Sequence, residues 1–206
     1  KIKKKIILST GMSNLKEIVH CLNVIAKNKI FKFINEDKVI IKNKQLHKKL
    51  REKIYILHCV TDYPVENKYA NLSAIENLKK NLGLNIGYSD HTIDNYSAFA
   101  AVSLGANVIE KHITLDKKFK GPDHPFAIEP DEMKDLIIGI RKIEKSLGNY
   151  KRVLSNQELK NRKMIRRSIV SKRKIIKGEI IQEKDIKYAR PGTGIPTTEF
   201  KKVIGK

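Results

Sequence analysis

The architecture of this chain is most readily inferred from the segment Gly87-Tyr88-Ser89-Asp90-His91-Thr92 and from its downstream counterpart Glu110-Lys111-His112-Ile113-Thr114. In each segment a short apolar run gives way to polar residues, as happens at the carboxyl end of a buried strand. If the two strands are parallel neighbours, about 4.8 Å apart, His91 and His112 can direct their imidazoles at one shared ion. The simpler alternative is that each histidine only makes a hydrogen bond near the end of its strand.

Apolar runs and helical periodicity alternate through residues 1–150. Strands are predicted at residues 5–8, 53–59, 84–89 and 108–114, each followed by a helix with apolar residues on one face. Pro130 marks the start of the last of these helices. Four consecutive β-α units predict a parallel sheet with helices packed on it. Residues 28–51 interrupt the pattern, and we interpret them as an irregular insertion, with a weak strand near residues 39–41, plus a polar helix.

The character of the sequence changes after Gly148. Residues 151–166 are highly charged and predict a linker or a surface helix. Residues 167–206 predict a β-rich module, with short strands broken by glycine turns in the runs 169–170, 175–181 and 185–189. Because a module of about 40 residues is only marginally stable alone, we expect it to pack on another domain or subunit.

Polar residues follow each predicted strand. In parallel α/β folds the chemistry gathers at the carboxyl ends of the strands, both in barrels and in open sheets. That rule selects the candidates Ser9, Thr10, Thr61, Tyr63, Ser89, His91, His112 and Asp123.

Alternation with period two divides the fourth predicted strand into two faces. Glu110 and His112 share one face, which looks inward if the sheet belongs to a barrel. Ile109 and Ile113 would then pack outward against helices. Lys111 lies between them and fits that outer face poorly.

The formal net charge of +21 raises the question of nucleic-acid binding, because basic surfaces neutralise phosphates. The 43 basic residues are spread over the whole chain and are mostly lysine, whereas arginine is preferred for bidentate contacts with phosphates and bases. We therefore expect no nucleic-acid partner. A positive field would still attract an anionic small substrate.

No apolar run approaches the roughly 18 residues of a membrane span, and no signal peptide precedes the first strand-like run. Cys21 and Cys59 have no CxxC spacing, so neither a disulfide nor a zinc site is expected. We therefore expect a cytoplasmic protein without a membrane partner.

Six short segments, taken in order along nearly the whole chain, carry a family resemblance. They are Leu8–Met12, Leu57–Cys59, Gly87–Thr92, Ile109–Asp116, Gly121–His124 and Arg190–Ile195. The chain resembles the sialic acid synthase family, including its legionaminic acid branch. The resemblance implies a TIM barrel followed by a small antifreeze-like (SAF) domain. It also implies condensation of phosphoenolpyruvate with N-acetylmannosamine or a diacetamido-dideoxy analogue, giving a nonulosonic (sialic-type) acid and phosphate.

The resemblance also implies the roles of individual residues. His91 and His112 would be catalytic residues that ligate Mn²⁺ or Mg²⁺. Two imidazoles leave coordination positions open for substrate and water, which suits such an ion, whereas a closed zinc site needs four protein ligands. The implied substrate-binding residues are Ser9 and Ser89 for phosphoenolpyruvate, Thr61 at a position where the family often has Asn, and Tyr63, Asp123 and Arg190 for the sugar.

Arg190 would reach the barrel from the SAF module of a partner subunit, in a domain-swapped homodimer. Without the resemblance, plainer interpretations exist for three of these residues. Tyr63 belongs to a turn before Pro64, Asp123 caps a loop, and Arg190 is a surface charge before a Pro-Gly turn.

The sequence departs from the family in two respects. A complete (β/α)₈ barrel takes roughly 250 residues, whereas only four β-α units precede the SAF-like module, and they resemble the second half of the family's barrel. The family's catalytic Glu and phosphate-binding Lys residues of the first half have no counterpart. The second departure is that the sequence stops at Gly205-Lys206, before the last strands of the usual SAF domain, so we expect only part of that domain. We therefore expect a fragment, or a split or degenerate gene product, that is inactive alone.

Two functions of other classes remain open. The chain would be a non-catalytic protein that binds an anionic glycan, or a different metal-dependent barrel enzyme such as an aldolase. A glycan-binding protein, unlike a synthase, need not retain Mn²⁺. An aldolase releases free pyruvate, whereas a synthase releases phosphate.

Overall fold

The computed structural model describes residues 4–206, and the chain forms two compact units that meet in sequence between Gly148 and Asn149. Strands and helices alternate along the amino-terminal unit. Its elements are β1 (Ile6–Ser9), α1 (Leu15–Ile25), β2 (Phe31–Asn35), β3 (Lys38–Ile41), α2 (Lys44–Arg51), β4 (Ile54–Cys59), α3 (Ala74–Leu82), β5 (Asn85–Asp90), α4 (Tyr96–Ser103), β6 (Ile109–Lys111) and α5 (Pro130–Leu147). No helix within residues 4–206 is long and apolar enough to cross a membrane.

Four of these strands form one parallel sheet in the order β1-β4-β5-β6. Ser89 of β5 pairs with Cys59 of β4 on one side and with Glu110 of β6 on the other. The carboxyl ends of the strands therefore meet at one edge of the sheet. The prediction of an α/β fold with a parallel sheet is confirmed.

The apolar core lies between this sheet and the helices that connect its strands. Its largest fully buried aliphatic side chains are Leu22, Ile30, Ile54, Ile56, Ile75, Leu82 and Ile86. Burial of each such side chain contributes about 1.5–3 kcal/mol. The helices start where local signals place them. At α1 the Asn14 side chain accepts a hydrogen bond from Glu17 N, and α5 begins at Pro130 as predicted.

Gly87 allows β5 to pass close to its neighbours. A Cβ atom at this position would lie 2.5 Å from Leu57 Cδ2 and 2.6 Å from the carbonyl oxygen of Val108. The backbone oxygen cannot move aside as a side chain can, so the close approach requires glycine.

Residues 28–51 are more regular than the sequence predicted. Strands β2 and β3 form an antiparallel hairpin, and the polar helix α2 follows it. The Asn23 side chain in α1 fixes the base of the hairpin, because it bonds both the N–H and the carbonyl of Phe31 at 2.9 Å. The weak strand predicted near residues 39–41 and the polar helix are confirmed as β3 and α2, whereas the prediction that the rest of the segment is irregular is wrong. Only the start of β2 is deeply buried. Strands that are mostly exposed need few apolar residues, so the alternation of apolar and polar residues is weak among the many Lys and Asn residues of this segment.

The fourth predicted strand is shorter than residues 108–114, because β6 ends at Lys111. Beyond it the chain turns toward the segment before α5, and Ile113 joins Ile128 through a single parallel bridge. Ile113 is 58% exposed, so the prediction that it packs against a helix is wrong. Ile109 does pack against the apolar core.

The carboxy-terminal unit comprises α6 (Asn156–Ile165), β7 (Ser168–Ser171), β8 (Ile186–Ala189), β9 (Ile195–Pro196) and α7 (Phe200–Val203). Its three strands form an antiparallel sheet in the order β8-β7-β9. Arg173 forms ion pairs with the carboxylates of Asp185 and Glu179, which connect separate segments of this unit. Residues 175–181, predicted as short strands broken by a glycine turn, contain the turn at Gly178 but form no strand.

Candidate functional site

Two histidines lie together at the carboxyl edge of the parallel sheet. His91 follows β5 and His112 follows β6, and their ring centroids are 5.3 Å apart with the planes inclined at 73°. His91 is buried and His112 is half-buried. Within residues 4–206, no group of three or more His, Cys, Asp or Glu side chains is arranged to hold a metal ion. An ion at this edge would therefore have the two imidazoles as its ligands from this unit.

The hydrogen bonding of His91 fixes which ring nitrogen is free. Its Nδ1 lies 2.9 Å from the carbonyl oxygen of Val60. A carbonyl can only accept, so Nδ1 carries the proton and Nε2 presents a lone pair in the neutral ring. Metal-binding histidines commonly have their second nitrogen held in this way. The donor chemistry of His91 therefore fits a divalent metal.

His112 lies beside an acidic side chain. Its Nδ1 is 3.6 Å from Asp123 Oδ2, which is too long for a hydrogen bond but close enough for charge attraction when the ring is protonated. The Asp123 side chain is 60% exposed, so it remains accessible to a ligand at this edge.

Aromatic rings form a wall beside the two histidines. The Tyr63 ring lies 4.2 Å from that of His91 and 5.6 Å from that of Phe126, measured between centroids. Desolvation raises the pKa of Tyr63, and the charges of neighbouring groups, Asp123 among them, raise it further. The phenol therefore keeps its proton at neutral pH and is available as a hydrogen-bond donor.

Ser89 and Glu110 are joined across β5 and β6. The Ser89 hydroxyl donates to Glu110 Oε1 at 2.7 Å, and Ser89 itself is buried. Glu110 is absent from the site residues predicted from sequence. Period-two alternation had nevertheless placed it on the same face as His112, and that signal could have included it.

The opposite face of the same two strands carries a buried ion pair. Lys111 Nζ lies 2.8 Å from Asp90 Oδ2, and the side chains are 2% and 0% exposed. The ammonium group also donates to the carbonyl oxygens of Thr92 and Asp94, both at 2.8 Å. Lys111, which fits an apolar outer face poorly, is thus fully paired in the interior.

The other predicted residues lie outside this group, although Ser9 and Thr61 lie at or just after the ends of strands of the same sheet, at the same carboxyl edge. Ser9 is exposed at the end of β1, and Thr61 is exposed after β4. Thr61 lines a cavity of about 860 Å³, whose lining includes neither histidine of the pair. Arg190 is exposed in the carboxy-terminal unit. The structure therefore groups Tyr63, Ser89, Asp123 and the two histidines at the ends of β4, β5 and β6.

His58 is a further buried histidine, and it lines the same cavity as Thr61. Its Nε2 lies 2.9 Å from the carbonyl oxygen of Ala70 and donates to it. Burial lowers the pKa of His58, since desolvation disfavours the charged ring. The ring also stacks on Tyr88 at 5.9 Å.

Taken together, these features define an α/β protein with a polar site at the carboxyl edge of a parallel sheet and a separate small β unit. The sequence model of the NeuB family matches residues 1–152, and that of the SAF domain matches residues 166–206. The chain belongs to the NeuB family. The family resemblance inferred from the six motifs is thereby confirmed.

Individual relatives carry related names. The chain is 43% identical over 206 residues to N,N'-diacetyllegionaminic acid synthase from Campylobacter jejuni, covering 100% of this chain and 56% of that protein. It is 34% identical over 165 residues to N-acetylneuraminate-9-phosphate synthase from Homo sapiens, covering 79% of this chain and 46% of that protein. The chain spans about half the length of the curated relatives that it matches.

A solved structure agrees with these relatives. The crystal structure of N-acetylneuraminic acid (sialic acid) synthetase from Leptospira borgpetersenii, in complex with citrate, superposes with a TM-score of 0.60 at 32% identity. The superposition covers 76% of this chain and 47% of that one.

Proposed function

We propose that this chain is part of a synthase that condenses phosphoenolpyruvate with an N-acetylated hexosamine, giving a nonulosonic acid and phosphate. Membership of the NeuB family and 43% identity to an N,N'-diacetyllegionaminic acid synthase support the proposal. The structural observation that carries it is the pairing of His91 with His112, in which Val60 holds Nδ1 of His91 and leaves Nε2 for a ligand.

In this proposal the four-stranded sheet is the second half of a TIM barrel. Its two edge strands, β1 and β6, would pair with further strands that complete the barrel. The SAF domain then belongs to a domain-swapped homodimer, and Arg190 of the partner subunit contacts the sugar. The chain of 206 residues is proposed to have no synthase activity without the complementary half of the barrel.

The proposed reaction forms one carbon–carbon bond. The enol electrons of phosphoenolpyruvate attack the sugar aldehyde through C3, and the aldehyde oxygen takes up a proton. Water then adds to C2 and loses a proton. Phosphate leaves with its bridging oxygen, and C2 becomes a ketone.

The residues at the strand ends match the needs of this reaction. Mn²⁺ or Mg²⁺ held by the two imidazoles would supply a Lewis acid for the aldehyde oxygen. The protonated Tyr63 donates to a sugar oxygen, and Asp123 accepts from a sugar hydroxyl. Both side chains lie beside His112, where the aldehyde would be placed: the Tyr63 ring centroid is 5.9 Å from that of His112, and Asp123 Oδ2 is 3.6 Å from His112 Nδ1.

The hydroxyls of Ser9, Thr61 and Ser89 are proposed to donate to phosphoenolpyruvate. Ser89 has one proton, which it donates to Glu110 in this structure. Binding of phosphoenolpyruvate therefore requires Ser89 to exchange that hydrogen bond for one to the substrate. The exchange leaves the Glu110 carboxylate free to accept another donor beside the substrate.

The proposal is tested by complementation. The chain is coexpressed with the first half of the barrel from the Campylobacter jejuni relative and is supplied with Mn²⁺ and phosphoenolpyruvate. The sugar is N-acetylmannosamine or its diacetamido-dideoxy analogue, and released phosphate and pyruvate are both measured. We expect phosphate release from the complemented sample, none from the chain alone, and none after His91→Ala.

Three results would count against this proposal. Turnover by the chain alone would refute the need for a second half. Release of free pyruvate would indicate an aldolase. Binding of an anionic glycan that is unchanged by His91→Ala, without Mn²⁺ retention, would indicate a non-catalytic binding protein.

A further inference from the structure

The carboxy-terminal unit contains a cavity that the proposed function does not use. It has a volume of about 560 Å³ and lies between α6 and the segment from Gly192 to Thr198. Four cationic side chains and two hydroxyls line it: Arg162, Lys163, Arg166, Arg167, Thr197 and Thr198. No carboxylate is among its lining residues within the part of the chain that the structure describes.

Arginine is scarce in this chain, so its placement is informative. The eight arginines are at positions 51, 141, 152, 162, 166, 167, 173 and 190. Those that form ion pairs with carboxylates are Arg141, Arg152 and Arg173. Three of the other five line the cavity, and none of these three has a carboxylate partner within residues 4–206. A bias toward lysine explains the net charge but does not explain this cluster.

The cluster is electrostatically unfavourable as it stands. Arg162 lies in the last turn of α6, and Arg166 follows the end of the helix as its C-cap residue, so several cations gather at one end of the helix. The acidic residue of α6, Glu158, is already engaged. Hydrogen bonds from Arg152 lower the pKa of Glu158 to about 2, and the two side chains form a bidentate pair. Glu158 is thus paired with Arg152, and a bound anion would offset the charge of the three arginines, which form no ion pair within residues 4–206.

The wall facing α6 is held in place by backbone contacts. Gly192 N donates to the carbonyl oxygen of Lys163 at 2.8 Å. A Cβ atom on Gly192 would lie 2.7 Å from Arg166 Cβ and 3.0 Å from the carbonyl oxygen of Arg162. Ser168 fixes the same segment, because its hydroxyl donates to Pro191 O and accepts from Gly194 N. The cavity is therefore bounded by two elements in fixed contact.

We propose that this cavity binds a small oxyanion carrying at least two negative charges, such as pyrophosphate or a phosphate monoester. The guanidinium group presents paired N–H donors that match phosphate oxygens, and the threonine hydroxyls add neutral donors. The volume lies within the range of small-molecule sites, about 300–1,000 Å³. This site is independent of the histidine pair.

Isothermal titration of the full chain with pyrophosphate, inorganic phosphate and glycerol phosphate, at constant ionic strength and without divalent metal, tests the proposal. We expect one saturable site. Loss of a charge-assisted hydrogen bond by Arg166→Gln or Arg162→Gln should weaken binding about tenfold or more. Arg166→Lys should also weaken it, because lysine keeps the charge but not the paired donors.

Two control variants distinguish the site from other causes. Lys187→Gln removes one charge from β8 of the same unit, outside the cavity, and should leave the dissociation constant within about twofold. His91→Ala should likewise leave it unchanged, so failure of the synthase proposal would not affect this test. Comparing the three anions shows whether the site prefers free phosphate, pyrophosphate or a monoester.

The proposal is overturned if none of the three anions saturates a site. It is also overturned if Lys187→Gln weakens binding as much as Arg166→Gln, since a diffuse positive field would then account for it. An acidic peptide is titrated in the same way. If it binds more tightly than pyrophosphate, the surface is assigned to a protein partner and the proposal is overturned. Circular dichroism of each exposed-residue variant confirms that it is folded.

Discussion

Lys111 Nζ and Asp90 Oδ2 form a buried ion pair, 2.8 Å long, that connects β6 to the turn carrying His91. Each of the three hydrogens of the ammonium group has an acceptor, namely Asp90 and the carbonyl oxygens of Thr92 and Asp94. The second carboxylate oxygen of Asp90 accepts from the N–H and the hydroxyl of Thr92. The pair thus fixes the backbone on both sides of His91.

Lys111→Met should destabilise the protein strongly, because it leaves the Asp90 carboxylate buried without a counter-charge. We expect a loss of about 3–5 kcal/mol in the free energy of unfolding, measured by urea denaturation followed by circular dichroism. The double variant Asp90→Asn with Lys111→Met should be less destabilised than the single one, since no charge remains. A loss below about 1 kcal/mol in the single variant would contradict the assignment.

His91→Ala and His112→Ala should each abolish retention of Mn²⁺, because either change leaves one imidazole at the proposed site. Electron paramagnetic resonance measures free and bound Mn²⁺ directly, without any need for turnover. His20→Ala, which removes an exposed histidine of α1, is the matched control and should bind as the original chain does. Equal Mn²⁺ retention in all three variants would exclude the pair as ligands.

Gly87→Ala should destabilise the protein by about 1–3 kcal/mol, because the new Cβ meets the carbonyl oxygen of Val108 at 2.6 Å. Gly139→Ala is a matched comparison on α5. Its Cβ meets only the Phe99 ring, at 2.5 Å, which can rotate away, and alanine favours the helix. Thermal and urea denaturation should therefore show that the Gly87→Ala variant is much less stable than the Gly139→Ala variant. The reverse order of stability would refute the steric account.

The free energy of unfolding should fall as the pH drops below about 6.5, the ordinary pKa of histidine. Burial lowers the pKa of His58 in the folded protein, so the unfolded chain binds its proton first. In His58→Gln the glutamine amide still donates to Ala70, and this part of the pH dependence should disappear. Urea titrations between about pH 7.5 and about pH 5 measure it. His20→Gln should keep the original slope, and a slope unchanged in His58→Gln would contradict the prediction.

Features set by local sequence were predicted well. Apolar runs located the four strands of the parallel sheet, and Pro130 located the start of α5 to the residue. The strand-end rule brought His91, His112 and Tyr63 into one group. These predictions succeed because periodicity and helix caps act within a few residues of the chain.

Features set by contacts between distant residues were missed. The ion pair of Lys111 depends on Asp90 of the adjacent strand, and a single strand shows only that a lysine lies on its apolar face. The hairpin was missed because its base depends on a distant residue, Asn23 of α1, which bonds Phe31, although the Asn35 side chain marks a turn at its tip by accepting from Asp37 N. The cation-lined cavity was not predicted, since Gly192 brings its wall against α6 only in the folded unit.

The hairpin of β2 and β3 also determines where this chain tolerates changes in length. Its tip, between Asn35 and Lys38, is exposed, whereas Ile30 and Phe31 at its base are buried among core side chains. A peptide inserted at residues 36–37 would extend from this exposed tip, beside the cavity of about 860 Å³ that Glu36 and Asp37 line together with Thr61. A deletion that reached the base would open the interior, so the chain tolerates changes in length at the tip but not at the base.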